Sequence, residues 1–379
     1  MKYILRTVVI MSAVHTLIVT ARAVTYNATI LHPIGAVDSY ALGVSGASQF
    51  GYAFYSASGG IDHALLWSGS AKSFVDLTPS GISQSFGYGI SGQQQIGTGF
   101  GSATGGDPHA LLWTGTAASA VDLNPTGFDF SNGTATSGTT QVGFGALAGQ
   151  NIEALLWHGT AASVIRLMPA EFVQSYAVAV AGDHQVGYGV TSGKSQHALL
   201  WSGTAASATD LSPPGFSDSV CLGVDGQNQV GYGSGPATSG KEHALLWNGT
   251  PTTAVDLNPM GFMESRATGV SGAYQVGWGS GPGTGGNTHA LIWNGTADGA
   301  IDLHQFLNTL NPAFVHSQAT SIASNGAIVG YAVAADGHPQ AIMWTPVPEP
   351  PSFGLTLLMI AFLYLPSRGQ RTHNALHRH

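Results

Sequence analysis

Five stretches of this chain join a histidine to a tryptophan through three apolar residues. They are HALLW from His63, His109, His197 and His243, and HALIW from His289. Two variants complete the set, EALLW from Glu153 and QAIMW from Gln340. Thirteen residues after each histidine stands an aspartate: Asp76, Asp122, Asp210, Asp256 and Asp302. An imidazole beside a carboxylate can serve acid–base or nucleophilic chemistry, and imidazoles can hold a metal. The copies themselves argue against both uses. Where Glu153 replaces the histidine, Arg166 replaces the aspartate, and where Gln340 replaces it the matching residue is Ile30. The pair keeps its complementarity while its charges change sides, as a cross-strand contact would. With a two-residue turn after the Trp-x pair, the odd separation sets both side chains directly opposite on one face. The histidines therefore read as strand residues held by their acids. A metal ring is interrupted by Glu153 and Gln340, and one histidine per repeat is too far from the next to share an ion.

Other catalytic signals are weak. No G-x-S-x-G or H-E-x-x-H stretch occurs. The loops GFGSATGG and GSGPGTGG lack the lysine and helix of a phosphate cradle. Cys221 is the only cysteine, which excludes an internal disulfide and a cysteine-based zinc site and reads as a small buried hydrophobe. Asn27, Asn132, Asn248 and Asn294 stand in Asn-x-Ser/Thr form, the last two explained more simply as Asn-Gly turns. No cofactor is implied.

The elements that carry these residues follow from the period. Successive motif tryptophans, from Trp67 to Trp344, are 44 to 51 residues apart, the range of propellers and related arrays. Each period holds four strand-like runs separated by Gly, Ser, Asn or Pro: CLGV, QVGYG, HALLW and AVDL in the fifth unit, with a tight turn at Asp225-Gly226 between the first two. Four antiparallel strands in such a length make one propeller blade. The unit ending at Trp344 has no fourth run after it, but ATILHPIG near the start fits that run. The expected fold is all-β: a seven-bladed β-propeller over residues 24–346 with four-stranded blades, the N-terminal strand closing the last blade and removing a free sheet edge. Parity puts Leu65 and Trp67 on the histidine face and Ala64 and Leu66 on the other. The tryptophans are expected to pack between blades; the alternative is an exposed row that stacks on carbohydrate.

The middle of the chain is acidic. Between the terminal segments five Lys and Arg face eighteen Asp and Glu, a formal charge of −13, which argues against nucleic acid as a partner. Both ends read as addresses. Residues 1–23 have a basic start, an apolar centre and the triplet Ala21-Arg22-Ala23, a secretory signal with cleavage after Ala23. The tail carries Val347-Pro348-Glu349-Pro350, an apolar run Phe353–Leu365 too short for a permanent span, and arginines at 368, 371 and 378. It resembles the PEP-CTERM sorting signal of Gram-negative bacteria. That resemblance implies transient inner-membrane anchoring over residues 347–379, and an exosortase-type partner cutting near Pro348, Glu349 and Pro350 before the protein reaches the cell exterior or surface. An extra Pro351 and dispersed arginines depart from the pattern.

The units between the addresses resemble the HAF family of extracellular repeats, which has an HAFLW-like strand, a downstream DL, an S-x-A-x-x-I run and a Q-V-V-G strand. The counterparts are HALLW, Asp122-Leu123, the runs SYALGVSG from Ser39 and SRATGVSG from Ser265, and Gln275-Val276-Gly277, with Leu for Phe, Val for Ile and one Val missing. The family implies no activity. The function expected is a non-catalytic exported propeller that binds extracellular polysaccharide or a matrix or cell-surface partner. The alternative is a polysaccharide-degrading hydrolase or lyase with acids at one mouth of the ring. The third unit and the long Ile301–Phe314 connection are the irregular places where such a site would break the repeat.

Overall fold

The computed structural model describes residues 25–56 and 59–348. Ala23, Glu349, Pro350 and the apolar run Phe353–Leu365 lie outside them; Pro348, at their edge, is exposed. Among the described residues no helix is long and apolar enough to cross a membrane.

The described chain folds into seven four-stranded antiparallel sheets, six of them running in chain order from first to fourth strand, and forms a seven-bladed β-propeller. Blade 1 is typical: Asp38–Ser45, Ser48–Tyr55, Ile61–Trp67 and Val75–Asp76. Blade 7 is built from both ends of the propeller. Its first three strands are Phe314–Ile322, Ile328–Ala334 and Pro339–Pro346, and its fourth is Tyr26–Ile30, in register from Tyr26 against Pro346 to Ile30 against Ile342.

Two glycine positions make the repeated hairpins. The first turn of blade 5 is Gly226-Gln227, one residue later than the sequence suggests. Gly226 has φ 56° and Gln227 no positive φ, the pattern of a type II′ hairpin. In the second strand, a Cβ on Gly187 would lie 1.9 Å from the Tyr176 carbonyl oxygen, so only glycine admits that approach. The approach coincides with a β-bulge that recurs in every first strand, for example between Ala177 and Ala179.

The core lies between blades. All seven motif tryptophans are at most 1% exposed. Each packs into the preceding blade: Trp113 against Phe50, Ala64 and Leu77, Trp157 against Ile96, Ala110 and Leu123, and Trp344 against Val276, Ala290 and Leu303. Trp67 packs on Val329, Ala341 and Met343 of blade 7, so the wedge also crosses the closure. This burial overturns the exposed carbohydrate-stacking row: the indole rings fill wedge-shaped gaps that smaller side chains would leave open.

Candidate ligand-binding face

The acid–base pairs form, but by a different geometry from the one expected. Nδ1 of His63 lies 2.6 Å from Oδ2 of Asp76, and the His109–Asp122, His197–Asp210, His243–Asp256 and His289–Asp302 pairs stand at 2.7 Å. The residue directly opposite Asp76 is Leu65, so the contact is a diagonal one. The reason is the connection: seven residues, 68–74, separate Trp67 from Val75, not a two-residue turn. Ile30 likewise faces Ile342, not Gln340. Each aspartate has a second task. Oδ1 of Asp76 accepts the N–H of Thr78 at 2.8 Å, and the other four aspartates do the same two residues on, starting the loop to the next blade.

Blade 3 reverses the arrangement. Nε of Arg166 donates to Oε2 of Glu153 at 2.6 Å, and the buried member is now the acid: the Glu153 side chain is 3% exposed and that of Arg166 58%. Oε1 of Glu153 is buried without a partner. Among the described residues no three His, Cys, Asp or Glu side chains group so as to hold a metal.

Two repeated polar contacts escaped the sequence reading. The serine opening the first strand of each blade is fully buried, and its Oγ accepts the N–H of the alanine in the preceding blade's tryptophan motif. Examples are Ala64 to Ser85 at 2.9 Å, Ala154 to Ser175 at 2.9 Å and, across the closure, Ala341 to Ser39 at 2.9 Å. A buried glutamine, Gln49 in blade 1, accepts the N–H of Gly69 and so ties down the turn after the tryptophan. The signal was present: this serine occurs in all seven copies and the histidine in only five.

A third layer does not repeat. Around the side of the ring where the first strands begin runs a belt of side chains, half-buried except for the buried Thr98 and Val220. The residue after the second-strand glycine is Tyr52, Thr98, Phe144, Tyr188, Tyr232, Trp278 or Tyr331. Opposite them stand Tyr40, Phe86, Asn132, Tyr176, Val220, Arg266 and Gln318. Members touch from blade to blade: Tyr331 meets Tyr40 at 5.0 Å, Tyr52 meets Phe86 at 5.2 Å, Phe144 meets Tyr176 at 5.1 Å, and the Arg266 guanidinium lies 4.2 Å over Tyr232.

The belt opens into a cleft of about 840 Å³ between blades 4 and 5. One wall comes from blade 4, through Gln174, Tyr176, Tyr188 and the connection at 191–195, and the other from blade 5, through Asp218, Tyr232, Ser234 and Glu242. Tyr176 and Tyr188 stack at 4.7 Å on one wall, and Tyr232 lines the other. The Glu242 carboxylate is gripped at both oxygens by Arg266, at 2.5 and 2.8 Å. Oδ1 of Asp218 accepts the N–H of Gln196 at 2.9 Å. Burial, with Tyr176 and Tyr232 close by, pushes the Tyr188 hydroxyl up to about 12, so it is a neutral donor and acceptor at neutral pH. Among the described residues the Asp218 Oδ2, the Gln174 amide nitrogen, the Lys194 ammonium and the Ser234 hydroxyl make no hydrogen bond to the protein. They converge with three phenol rings on one open space. Flat aromatic faces beside unpaired donors and acceptors suit a ligand with an apolar ring face and hydroxyl edges. The central channel is different: the bulged stretches that enclose its roughly 290 Å³ carry no carboxylate side chain.

The fold has known neighbours. The β-propeller domain of the Trilobed protease from Pyrococcus furiosus aligns with a TM-score of 0.57 at 9% identity, over 82% of this chain and 98% of that one. Puromycin hydrolase aligns at 0.54 and 10% identity over 83% of this chain. A puromycin-hydrolyzing peptidase from Mycobacterium tuberculosis aligns at 0.53 and 12% identity over 85%. This chain spans 56% and 55% of the length of those two enzymes. The likeness is one of fold. The Pyrococcus domain is described as having an open velcro topology, whereas here Tyr26–Ile30 pairs with Pro339–Pro346 and closes the ring. No family model and none of the curated proteins matches the chain.

Proposed function

We propose that this chain is an exported propeller that binds extracellular polysaccharide, without catalysis, in the cleft between blades 4 and 5. The observation that carries the reading is the cleft itself. It combines the stacked Tyr176 and Tyr188, the opposing Tyr232 and four unpaired polar groups around one open space. Pyranose rings present an apolar C–H face to such phenols and hydroxyls to such polar groups. Of the two acids that line the cleft, Glu242 is held at both oxygens by Arg266, which leaves Asp218 as its one carboxylate with an unpaired oxygen and favours binding over an acid pair at this mouth. Export rests on the terminal segments: a leader cut after Ala23, and a PEP-CTERM-like tail that anchors the chain in the inner membrane until an exosortase-type enzyme acts near Pro348-Glu349-Pro350.

The test is a glycan array probed with residues 24–346. The wild type should retain one class of glycan, and Tyr188→Ala should lose roughly tenfold or more of that signal, since stacking and hydroxyl contacts to one aromatic anchor are typically worth 1 to 2 kcal/mol or more. Retention of no glycan, or retention indifferent to Tyr188→Ala and Tyr232→Ala, would overturn the reading.

A further inference from the structure

In several blades the residue two positions after the pair aspartate acts as a relay to the next blade, though Asn124 in blade 2 leaves its side-chain oxygen unpaired instead. Thr78 Oγ1 lies 2.8 Å from Ser85 Oγ, Ser212 Oγ lies 3.0 Å from Ser219 Oγ, and Asn258 Oδ1 accepts from Ser265 Oγ at 2.7 Å. In each case the serine is the buried one that also accepts an alanine N–H. Asn124 and Met168 hold the position in blades 2 and 3. Only two copies place a titratable group there. His304 sets Nδ1 2.9 Å from Ser317 Oγ, and His32 sets Nδ1 2.8 Å from Ser39 Oγ. Those two serines open blades 7 and 1, so the two imidazoles sit on the two flanks of blade 7, the one blade held together by pairing between the ends of the propeller.

The hydrogen-bond arithmetic of these sites requires a neutral ring. Ser39 and Ser317 are 0% exposed, and each Oγ already accepts an alanine N–H, from Ala341 and Ala290. The hydroxyl proton must go to the imidazole Nδ1. His32 then donates from Nε2 to the Ala36 carbonyl at 3.1 Å, an assignment that follows from the partners. Protonated, Nδ1 becomes a donor, and the buried hydroxyl proton has no acceptor left. We propose that His32 and His304 are acid-release catches: protonating them loosens both flanks of blade 7, frees the strand Tyr26–Ile30 and opens the ring.

The surroundings act in the same direction. His304 is stacked 4.1 Å from His289, itself paired with Asp302, and His316 lies on the neighbouring strand, its Nδ1 accepting from Thr288. Burial, and then the charge of His289, hold His304 below the ordinary imidazole range, against the opposing pull of Asp302. Burial likewise holds His32 down, with Asp38 opposing it and His338 reinforcing it. His338 is paired with Asp38 at 2.9 Å. A histidine whose folded pKa is depressed adds stability that is complete above its unfolded value near 6.5. That stability is lost as the pH falls toward the depressed value. Phe306, in the same short turn as His304, packs its ring on Tyr26 at 5.8 Å, so the loosened segment touches the closing strand directly.

The measurement is amide hydrogen exchange in the full chain at pH 7.5 and pH 5.0, corrected for the intrinsic rate. Protection of Tyr26–Ile30 should fall by roughly tenfold or more at pH 5.0, while the blade 4 strand Gln196–Trp201 keeps its protection. The double variant His32→Asn with His304→Asn, which installs the relay used by Asn258, should close at both pH values. Uniform loosening of all blades, an unchanged closing strand, or undiminished acid sensitivity in the variant would overturn the proposal. Should the variant fail to fold, NMR titration of the two wild-type imidazoles decides: values at or above 6.5 overturn it, and values below 6.5 support it.

Discussion

The buried layer between blades and the belt at the mouth of the ring are built from the same strands, yet they obey different rules. Between blades the tryptophan wedge and the serine stitch recur in all seven copies. In the belt the matching positions hold Tyr, Phe, Asn, Val, Arg and Gln in turn. A position that must fill the same gap seven times cannot vary without leaving a void or an unpaired polar group. A position facing open space can. The constant layer is therefore the frame, and the variable layer is where a binding site can be placed without disturbing it.

The comparison breaks most readily at a tryptophan. Trp157→Ala should destabilise the protein by about 3–5 kcal/mol, because the indole is fully buried against Ile96, Ala110 and Leu123. Equilibrium denaturation checks it, and a cost under about 1 kcal/mol would mean the wedge is not the frame.

The next test sharpens the account of the stitch. Ser175 is the cleanest choice, because Met168 offers it no relay. Ser175→Ala should cost about 1–3 kcal/mol by leaving the buried N–H of Ala154 unpaired. Indifference in thermal unfolding would show that the N–H finds another acceptor.

The smallest effect belongs to the pair that reversed its charges. Arg166 is mostly exposed and Glu153 keeps one buried oxygen unpaired, so Glu153→Ala should cost about 1 kcal/mol or less. Glu153→His with Arg166→Asp should match or exceed the wild type. It moves the carboxylate to the exposed side and supplies the acceptor for the N–H of residue 168 that the other aspartates provide. A double-mutant cycle measures the coupling, and none would mean that the shared swap is coincidence.

Much of this frame was legible before any coordinates. The tryptophan spacing set the number of blades, and the run ATILHPIG supplied the missing fourth strand, because each blade needs the same four edges satisfied. The partnership of His63 with Asp76 and of Glu153 with Arg166 was readable because compensating changes between copies report contact. The diagonal form of that contact was not, since it depends on the path of a seven-residue connection rather than on residue types.

The sequence by itself determined the periodic part of this protein: strand order, wedge, pairs and closure. Repetition lets each copy test the others, and backbone pairing is the same in every blade. Only the tertiary structure decided the rest. That Tyr188 of blade 4 and Tyr232 of blade 5 line one cleft, and that His32 and His304 flank the one shared blade, depend on which residues from different blades meet across the ring. Those meetings are distances between side chains far apart in the chain, which no single period contains.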